Sequence, residues 1–239
     1  MLLASLGHAQ MNVTTVGLQF KPMFTSKFFG TGPETAESRD LSVTLTPRFG
    51  MNMGMVIRRG LTKNWSFETG ICFVQRNFQL EFDYPELNEV QTLNFRFIGY
   101  EIPLQGMIYV RLSDKLFMNA SAGMSIDMYP TDIGGQTDTR RDSINYDFFM
   151  DTFRRNWVQI SILANYGFEY RTKDQGYFYI GGSFHRPFSN IATTQVRMER
   201  ETFPTRAEFE LSGTYLTIDF RYFFHEDPER KKAKKKKTA

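Results

Sequence analysis

The chain has 239 residues, with 29 Lys and Arg against 26 Asp and Glu and a formal net charge of +3. The tail 226–239 holds seven of the basic and three of the acidic residues, which leaves 22 basic and 23 acidic residues elsewhere. This balance argues against nucleic-acid binding by the folded part. A membrane-spanning helix is excluded as well, because no apolar run reaches about 20 residues.

The first nine residues resemble the end of a secretory signal peptide. An apolar stretch around Leu6 is followed by the small residues Gly7 and Ala9, spaced as in a cleavage site. We therefore predict a signal-peptide remnant at 1–9 and a mature chain that begins near Gln10. The alternative is a mildly apolar N-terminal segment without a targeting role.

Eight stretches of alternating apolar and polar residues follow. Alternation with a period of two places successive side chains on opposite faces of a strand. In the clearest example, Val158, Ile160 and Ile162 share one face and Gln159 and Ser161 share the other. Repeated strands of ten or more residues with one apolar face are typical of a transmembrane β-barrel. The predicted strands are 13–25, 42–58, 65–82, 92–111, 116–128, 154–171, 177–186 and 207–224.

The connections between these strands alternate in length. Short turns are predicted at 59–64, 112–115 and 172–176, and long loops at 26–41, 83–91, 129–153 and 187–206. This asymmetry predicts an all-β protein, an eight-stranded antiparallel up-and-down transmembrane β-barrel with short periplasmic turns and long extracellular loops. We expect the barrel domain at 10–225 in the outer membrane of a Gram-negative bacterium, with both termini in the periplasm.

The alternation assigns one face of each strand to lipid. Aromatic residues near the strand ends fit the membrane interfaces, with Trp65, Tyr170 and Tyr222 near the short turns and Tyr100 and Trp157 near the long loops. The predicted lipid-facing residues are Val16, Leu18, Phe20, Val43, Leu45, Phe49, Met51, Phe67, Ile71, Phe73, Ile98, Ile102, Leu104, Ile108, Met118, Ala120, Ala122, Met124, Ile160, Ile162, Ile180, Phe184, Leu216, Ile218 and Phe220.

The opposite face carries polar residues of both signs. Eight strands enclose a space that side chains can fill, and unpaired ions there would cost several kcal/mol each. We therefore predict a packed polar core of ion pairs rather than an open pore. Its charged members are Arg48, Glu68, Glu101, Arg111, Asp127, Glu169, Arg171, Asp219 and Arg221, with Lys21, Gln105, Asn119 and Asn165 on the same face.

Few residues suggest catalysis or cofactor binding. Ser183 and His185 share a strand face and would form a hydrolase trio with Glu101 or Glu169, but their predicted lumen position favours a role in the polar core. Small outer-membrane barrels that deacylate lipid A hold such a trio toward lipid. The histidines are too dispersed for a metal site, so we expect neither a metal nor a cofactor. Cys72, the single cysteine, is expected to be a buried filler.

Two basic groups suggest partners. Arg140, Arg141, Arg154 and Arg155 are predicted to lie above the outer interface, where they would contact lipopolysaccharide phosphates or serve only solubility. The tail 226–239 is predicted to be disordered in the periplasm. It would contact anionic lipid, peptidoglycan or another envelope protein, or remain solvated, through Arg230, Lys231, Lys232, Lys234, Lys235, Lys236 and Lys237.

One segment resembles a known family. Residues 99–104, Gly-Tyr-Glu-Ile-Pro-Leu, are closely similar to the YLEIPL strand of PorT-like small outer-membrane barrels, the outer-membrane β-barrel domain family. The resemblance extends over about 12–225, although Gln105 and Gly106 replace the family's aliphatic residues. Pro103 removes a backbone donor, so a bulge is expected there. The resemblance implies an eight-stranded barrel in a Gram-negative outer membrane, and the founding member is associated with type IX secretion.

The sequence therefore favours a non-enzymatic outer-membrane barrel. Such a barrel would act as a structural or assembly component, as an accessory to type IX secretion or to a surface-protein complex. A lipid A-directed hydrolase and a narrow channel are the alternatives. A soluble β-barrel that binds an apolar ligand would need the inverse arrangement, with the apolar face turned inward.

Overall fold

The structure, a computed structural model, describes residues 13–25, 31–38, 41–84, 89–141, 144–172, 175–199 and 205–224. The predicted signal-peptide remnant and basic tail lie outside these ranges. Within them, no helix is long and apolar enough to cross a membrane. The strands are β1 (Thr14–Phe24), β2 (Glu34–Ser38), β3 (Leu41–Gly60), β4 (Trp65–Tyr84), β5 (Glu89–Arg111), β6 (Leu116–Met128), β7 (Ile133–Arg141), β8 (Ile144–Arg154), β9 (Val158–Arg171), β10 (Tyr177–Pro187), β11 (Ala192–Glu199), β12 (Thr205–Leu211) and β13 (Tyr215–Phe223).

Eight of these strands form a closed antiparallel ring. The pairing order β1-β13-β10-β9-β6-β5-β4-β3 returns to β1, which is hydrogen-bonded to both β13 and β3. Closure pairs the backbone groups that a sheet edge would leave open. We call the end of the ring at the short turns the lower end, and the opposite end the upper end.

The register of the ring defines its geometry. A path through directly paired residues that starts at Phe24 of β1 returns to β1 at Thr14, ten residues away. A shift of ten residues over eight strands corresponds to a strand tilt of about 40°, which is usual for a closed barrel. The path passes through Leu216, Phe184, Ala164, Ala122, Gly106, Phe67 and Arg59.

Three of the four segments predicted as long loops, 26–41, 129–153 and 187–206, contain further strands, and 83–91 includes the ends of β4 and β5. β2 lies within 26–41, β7 and most of β8 within 129–153, and β11 within 187–206. The predicted strand 207–224 is divided into β12 and β13 by residues 212–214. These additional strands have only 5 to 11 residues, so each carries a weak alternation signal.

Four of the additional strands form a second sheet above the ring. Its order is β12-β11-β8-β7; β12 contacts β2, and β7 contacts β5. The sheet and the upper parts of β2 to β5 enclose one apolar core, and we call this unit the sandwich. The core consists of Val43, Leu45, Phe78, Leu80, Phe82, Phe95, Phe97, Tyr129, Phe148, Met150, Ile191, Ala192, Val196, Ala207, Phe209 and Leu211.

Polarity inverts along the strands that connect the ring to the sandwich. On β4 the outward row changes from apolar to polar between Phe73 and Gln75. The inward row of the same strand changes from polar to apolar between Arg76 and Phe78. The ring therefore has an apolar outside and a polar inside, whereas the sandwich has the opposite arrangement.

A bulge in β3 accounts for two incorrect lipid assignments. The register between β3 and β4 shifts between Arg48 and Met51. A shift of one residue exchanges the two faces of a strand, so Val43 and Leu45 point inward and are buried in the sandwich core. The bulge expected at Pro103 is absent, since the register between β4 and β5 is unchanged on either side of that residue.

The other predicted lipid-facing residues lie on the outward face of the ring, where each is exposed or half-buried. Ile160 and Ile218, for example, are 50% and 44% exposed. Aromatic pairs surround the upper end of this face, with Phe24 against Phe49 and Phe73 against Tyr100. Such a band of aromatic side chains is typical of a membrane interface.

Candidate functional site

The interior of the ring holds most of the predicted polar core. Glu68, Glu101, Asp127, Glu169, Asp219 and Arg221 are buried, and Arg171 is half-buried beside Glu169. Arg48 and Arg111 are exposed, so their predicted lumen position is wrong. Arg48 precedes the β3 bulge, and Arg111 ends β5 and pairs with Asp114 in the adjoining turn.

A lower ion-pair network connects strands on opposite sides of the ring. The Arg58 guanidinium contacts Glu68 at 3.0 Å and also contacts Glu169. Arg221 contacts Glu68 and lies 2.7 Å from the Asp219 carboxylate. Lys21 Nζ is 3.6 Å from Asp219, and Arg171 Nε is 2.6 Å from Glu169. Each of the three buried acids is thus paired with at least one cation, which offsets the free energy of burying its charge.

Neutral side chains add hydrogen bonds to this network. Ser183 donates to Asp219 at 2.5 Å, and Asn165 donates to the same carboxylate at 2.9 Å. The Tyr179 hydroxyl donates to Asn165 Oδ1 at 2.7 Å. These hydrogen bonds favour one fixed arrangement of the interior, although Arg221 Nε is buried without a partner.

A second buried group, the upper cluster, consists of Glu101, Asp127 and His185. His185 Nε2 is 3.0 Å from Asp127 Oδ2 and 3.7 Å from Glu101 Oε2. Ser125 donates to Asp127 at 2.7 Å, and Ser161 also donates to that carboxylate. The cluster lies just below the level at which the sandwich begins.

Aromatic and amide side chains surround the upper cluster. The Tyr215 hydroxyl donates to Glu101 at 2.5 Å, and its ring stacks on His185 with a centroid separation of 4.4 Å. Asn52 Nδ2 lies 3.4 Å from Glu101 Oε2, whereas the buried Asn52 Oδ1 has no hydrogen-bond partner. The Arg76 guanidinium lies over the Tyr215 ring.

A small cavity lies between the ring and the sandwich. Its volume is about 40 Å³, and its lining includes Met23, Leu45, Arg76 and Tyr215. Such a volume holds roughly three water molecules. Above it the apolar sandwich core covers the ring, so this cavity is a small pocket and not the mouth of a wide channel.

The proposed hydrolase trio does not assemble around Ser183 and His185. Ser183 bonds to Asp219 in the lower network, whereas His185 bonds to Asp127 in the upper cluster. Ser125 Oγ does approach His185, at 3.4 Å, but on the same Nε2 atom that contacts Asp127. A relay needs the acid and the nucleophile on different ring nitrogens, so this geometry does not activate a serine.

The predicted lipopolysaccharide contacts are divided between two places. Arg140 and Arg141 belong to β7, where they pair along the backbone with β8. Arg154 bonds to backbone oxygens of 129 and 130 and lies near Asp132, so it stabilises the chain between β6 and β7. Arg155 is exposed, and its guanidinium lies 3.8 Å from Glu210 Oε1 of the sandwich. The basic tail residues lie outside the described ranges.

Sequence reasoning missed two interior arginines, Arg58 and Arg76. Arg58 is the last residue of a predicted strand, and Arg76 lies on the same inward row as Glu68. Continuing the alternation of β4 beyond Cys72 would have identified Arg76. The proximity of His185 to Glu101 and Asp127 depends on the register between neighbouring strands, which alternation does not specify.

The chain is similar to known outer-membrane proteins. Over residues 11–193 it matches the family described as outer membrane protein β-barrel domain. The outer membrane protein OprG from Pseudomonas aeruginosa is 11% identical, with a TM-score of 0.48 over 92% of this chain and 99% of that one. The outer membrane protease OmpT from Escherichia coli is 10% identical, with a TM-score of 0.33 over 88% and 96%. No curated protein sequence matches the chain.

Proposed function

Because the chain belongs to the outer membrane protein β-barrel domain family, we propose that it is a non-enzymatic structural or assembly component of the Gram-negative outer membrane. The observation that carries this proposal is the filled interior of the ring. Ion pairs join strands across its centre, and the apolar core of the sandwich covers its upper end. An interior of this kind supports a rigid anchor rather than a conduit.

The proposed orientation places the sandwich outside the cell. The short turns lie at the lower end of the ring, and in outer-membrane barrels the short turns face the periplasm. Both termini would then be periplasmic, as would the basic tail 226–239. The sandwich presents an outer face with Gln195, Glu208 and the Asp151–Arg197 ion pair, which is a polar surface for a protein partner.

The similarity of residues 99–104 to PorT-like barrels supports a role beside a secretion or surface-protein complex. The anchor would hold the sandwich at the cell surface while the tail contacts an acidic periplasmic partner or peptidoglycan. A photo-crosslinking amino acid at Gln195 or Glu208 tests this role in living cells. We expect protein adducts from these positions and none from Ile160 on the lipid face. A lack of protein adducts at both sandwich positions would contradict the assembly role.

Lipopolysaccharide is the proposed lipid partner. A groove of about 450 Å³ at the upper end of the lipid face includes Arg155, Arg186, Phe188 and Ile162 in its lining. Arg186 follows the apolar residues Ile180 and Phe184 on the outward row of β10. Guanidinium groups beside an apolar surface suit a phosphorylated lipid headgroup. The double variant Arg155→Glu/Arg186→Glu should therefore retain less lipopolysaccharide on purification than the control Arg206→Glu.

Conductance measurements separate the anchor from a narrow channel. The wild-type chain in planar bilayers should show no stable current steps. The double variant Arg58→Ser/Glu169→Ser removes one cross-lumen pair, and its increased current would show that the protein inserts under the same conditions. Stable wild-type steps that match those of this variant would favour the channel.

The hydrolase alternative has a direct test. Expression of the wild-type chain should leave the acyl chains of lipid A unchanged, and expression of Ser183→Ala and Ser125→Ala variants should give the same lipid A by mass spectrometry. Loss of an acyl chain with the wild type but not with a serine variant would overturn the non-enzymatic proposal.

A further inference from the structure

The ligand atoms of the upper cluster have the spacing of a metal site. One atom each from Glu101, Asp127 and His185 lies within 4.8 Å of the others. Tetrahedral Zn²⁺ with bonds of about 2.0–2.1 Å places its ligand atoms about 3.3 Å apart. The two separations measured from His185 Nε2, 3.0 Å and 3.7 Å, lie on either side of that value.

The charge of the upper cluster also differs from that of the lower network. Glu68, Glu169 and Asp219 each contact a lysine or arginine. Across the described part of the chain, neither Glu101 nor Asp127 has such a contact; their ion-pair partner is His185. Two buried carboxylates require compensating positive charge. The buried Arg76 guanidinium lies nearby over the Tyr215 ring but forms no ion pair with either carboxylate, and one divalent ion would neutralise both directly.

A buried atom without a partner lies beside the same carboxylates. Asn52 is fully buried, and its Oδ1 has no hydrogen bond although its Nδ2 lies 3.4 Å from Glu101 Oε2. Rotation of the Asn52 amide by 180° exchanges its oxygen and nitrogen atoms. The rotated Asn52 would present an oxygen ligand toward Glu101, where the amide now presents a hydrogen-bond donor.

The surrounding side chains hold these groups in place. Ser125 and Ser161 donate to Asp127, and the Tyr215 hydroxyl donates to Glu101. Stacking on Tyr215 fixes the plane of the His185 ring. Partners that orient metal ligands in this way are a regular part of metal sites.

We propose that Glu101, Asp127 and His185 bind one divalent transition-metal ion, with Asn52 as a fourth ligand. One imidazole nitrogen and several oxygens suit Zn²⁺, Mn²⁺ or Fe²⁺. The ion would join β3, β5, β6 and β10 at the upper end of the ring. Its role would be structural, because the site is buried beneath the sandwich.

Zn²⁺ and Co²⁺ are the probes that test this site. The untagged full chain is stripped with a chelator, refolded in detergent, incubated with ZnCl₂ and dialysed before elemental analysis. We expect one zinc per chain and an increase in the thermal unfolding temperature. Co²⁺ should give the visible absorption bands of a tetrahedral complex with nitrogen and oxygen ligands. Zinc well below one equivalent together with absent cobalt bands would overturn the proposal.

Variants assign the bound ion to these residues. Asp127→Asn and Glu101→Gln should lose the bound equivalent, whereas Glu68→Gln in the lower network and His225→Ala outside the described ranges should retain it. Heat-modifiable gel migration identifies the variants that fold. A folded Asp127→Asn variant that keeps one equivalent would contradict the assignment. If neither site variant folds, zinc X-ray absorption of the wild type decides, and a spectrum without an imidazole ligand would overturn the site.

Discussion

Arg58 of β3 and Glu169 of β9 form a buried ion pair between two strands that stand opposite each other in the ring. The two residues are 111 positions apart in the chain. Arg221 of β13 and Glu68 of β4 form a second pair across the interior. These contacts connect strands that share no backbone hydrogen bonds, so they hold the interior of the ring closed.

Removal of one charge from this network should destabilise the ring strongly. Glu169→Gln leaves Arg171 without its carboxylate and weakens the neutralisation of Arg58. We expect the free energy of unfolding to fall by about 3 kcal/mol, because breaking a buried pair leaves an uncompensated charge. Urea unfolding of the protein in detergent measures this change.

An exposed ion pair provides the matched control for that prediction. Asp114→Asn removes the partner of Arg111 in the turn between β5 and β6, where the aspartate is almost fully exposed. The expected loss is below about 1 kcal/mol. Equal effects of the two substitutions would show that the interior charges are solvated rather than packed.

Gly181 and Gly167 should be more sensitive to substitution than their neighbours. They pair across β10 and β9, and a Cβ atom at either position would lie within 2.5 Å of the Tyr179 hydroxyl. The Cβ of Gly181→Ala would also lie 2.5 Å from the Tyr166 backbone oxygen, so this substitution shifts the β9 backbone as well as displacing Tyr179 from its hydrogen bond to Asn165. We expect a loss of about 2 kcal/mol from overpacking, measured by thermal unfolding.

The adjacent glycine tests whether that effect depends on Tyr179. At Gly182 an added Cβ would come no closer than 3.4 Å to a neighbouring atom, the Thr217 carbonyl oxygen. Gly182→Ala should therefore change the unfolding temperature little. If Gly182→Ala proves as destabilising as Gly181→Ala, backbone flexibility and not contact with Tyr179 determines the result.

A destabilising substitution in the sandwich core should unfold the sandwich while the ring stays folded. Leu80 is fully buried between the sandwich sheets, and truncation of such a residue costs about 2–5 kcal/mol. Leu80→Ala should increase proteolytic cleavage within 129–153 and 187–206 while heat-modifiable migration of the ring persists. Glu81→Ala, at the exposed neighbouring position, should leave cleavage unchanged. If Leu80→Ala abolishes both the protease resistance of these segments and the heat-modifiable migration of the ring, the ring and the sandwich fold as one unit.

Alternation correctly predicted the direction of side chains wherever one face of a strand contacts lipid along its whole length. On β9, from Val158 to Tyr170, every second residue is exposed, as the sequence indicated. The pattern is clear there because the surroundings do not change from one end of the strand to the other. On β10 the apolar outward row ends at Arg186, because that row becomes polar where the strand reaches the membrane interface.

Alternation did not predict the direction of side chains where the surroundings change within one strand. Val43 and Leu45 are as apolar as the lipid-facing residues below them, but the β3 bulge turns them into the sandwich core. Pro47 and Gly50 flank that bulge and are both bulge signals in a strand, but the sequence reasoning applied this signal only to Pro103. The apolar-inward arrangement was considered for the chain as a whole, and the structure shows it in the sandwich alone.

The candidate sites depend on the register between strands, which the sequence does not specify. The inward position of Glu101, Asp127 and His185 follows from alternation on three strands. The predicted up-and-down order makes β5, β6, β9 and β10 neighbours, and the register between them brings the three side chains to one level of the ring. Likewise, the separation of Ser183 from His185 arises because each side chain finds a different carboxylate across the ring.

The central claim is that β4 leaves the membrane between Phe73 and Gln75 and continues into the sandwich. Nitroxide labels on single cysteines along its outward row, in a Cys72→Ser background, test this in reconstituted bilayers. Labels at Phe67, Ile71 and Phe73 should be accessible to oxygen and shielded from a water-soluble nickel reagent, and labels at Gln79 and Glu81 should show the reverse. Lipid exposure at Gln79, or aqueous exposure at Ile71, would contradict the account.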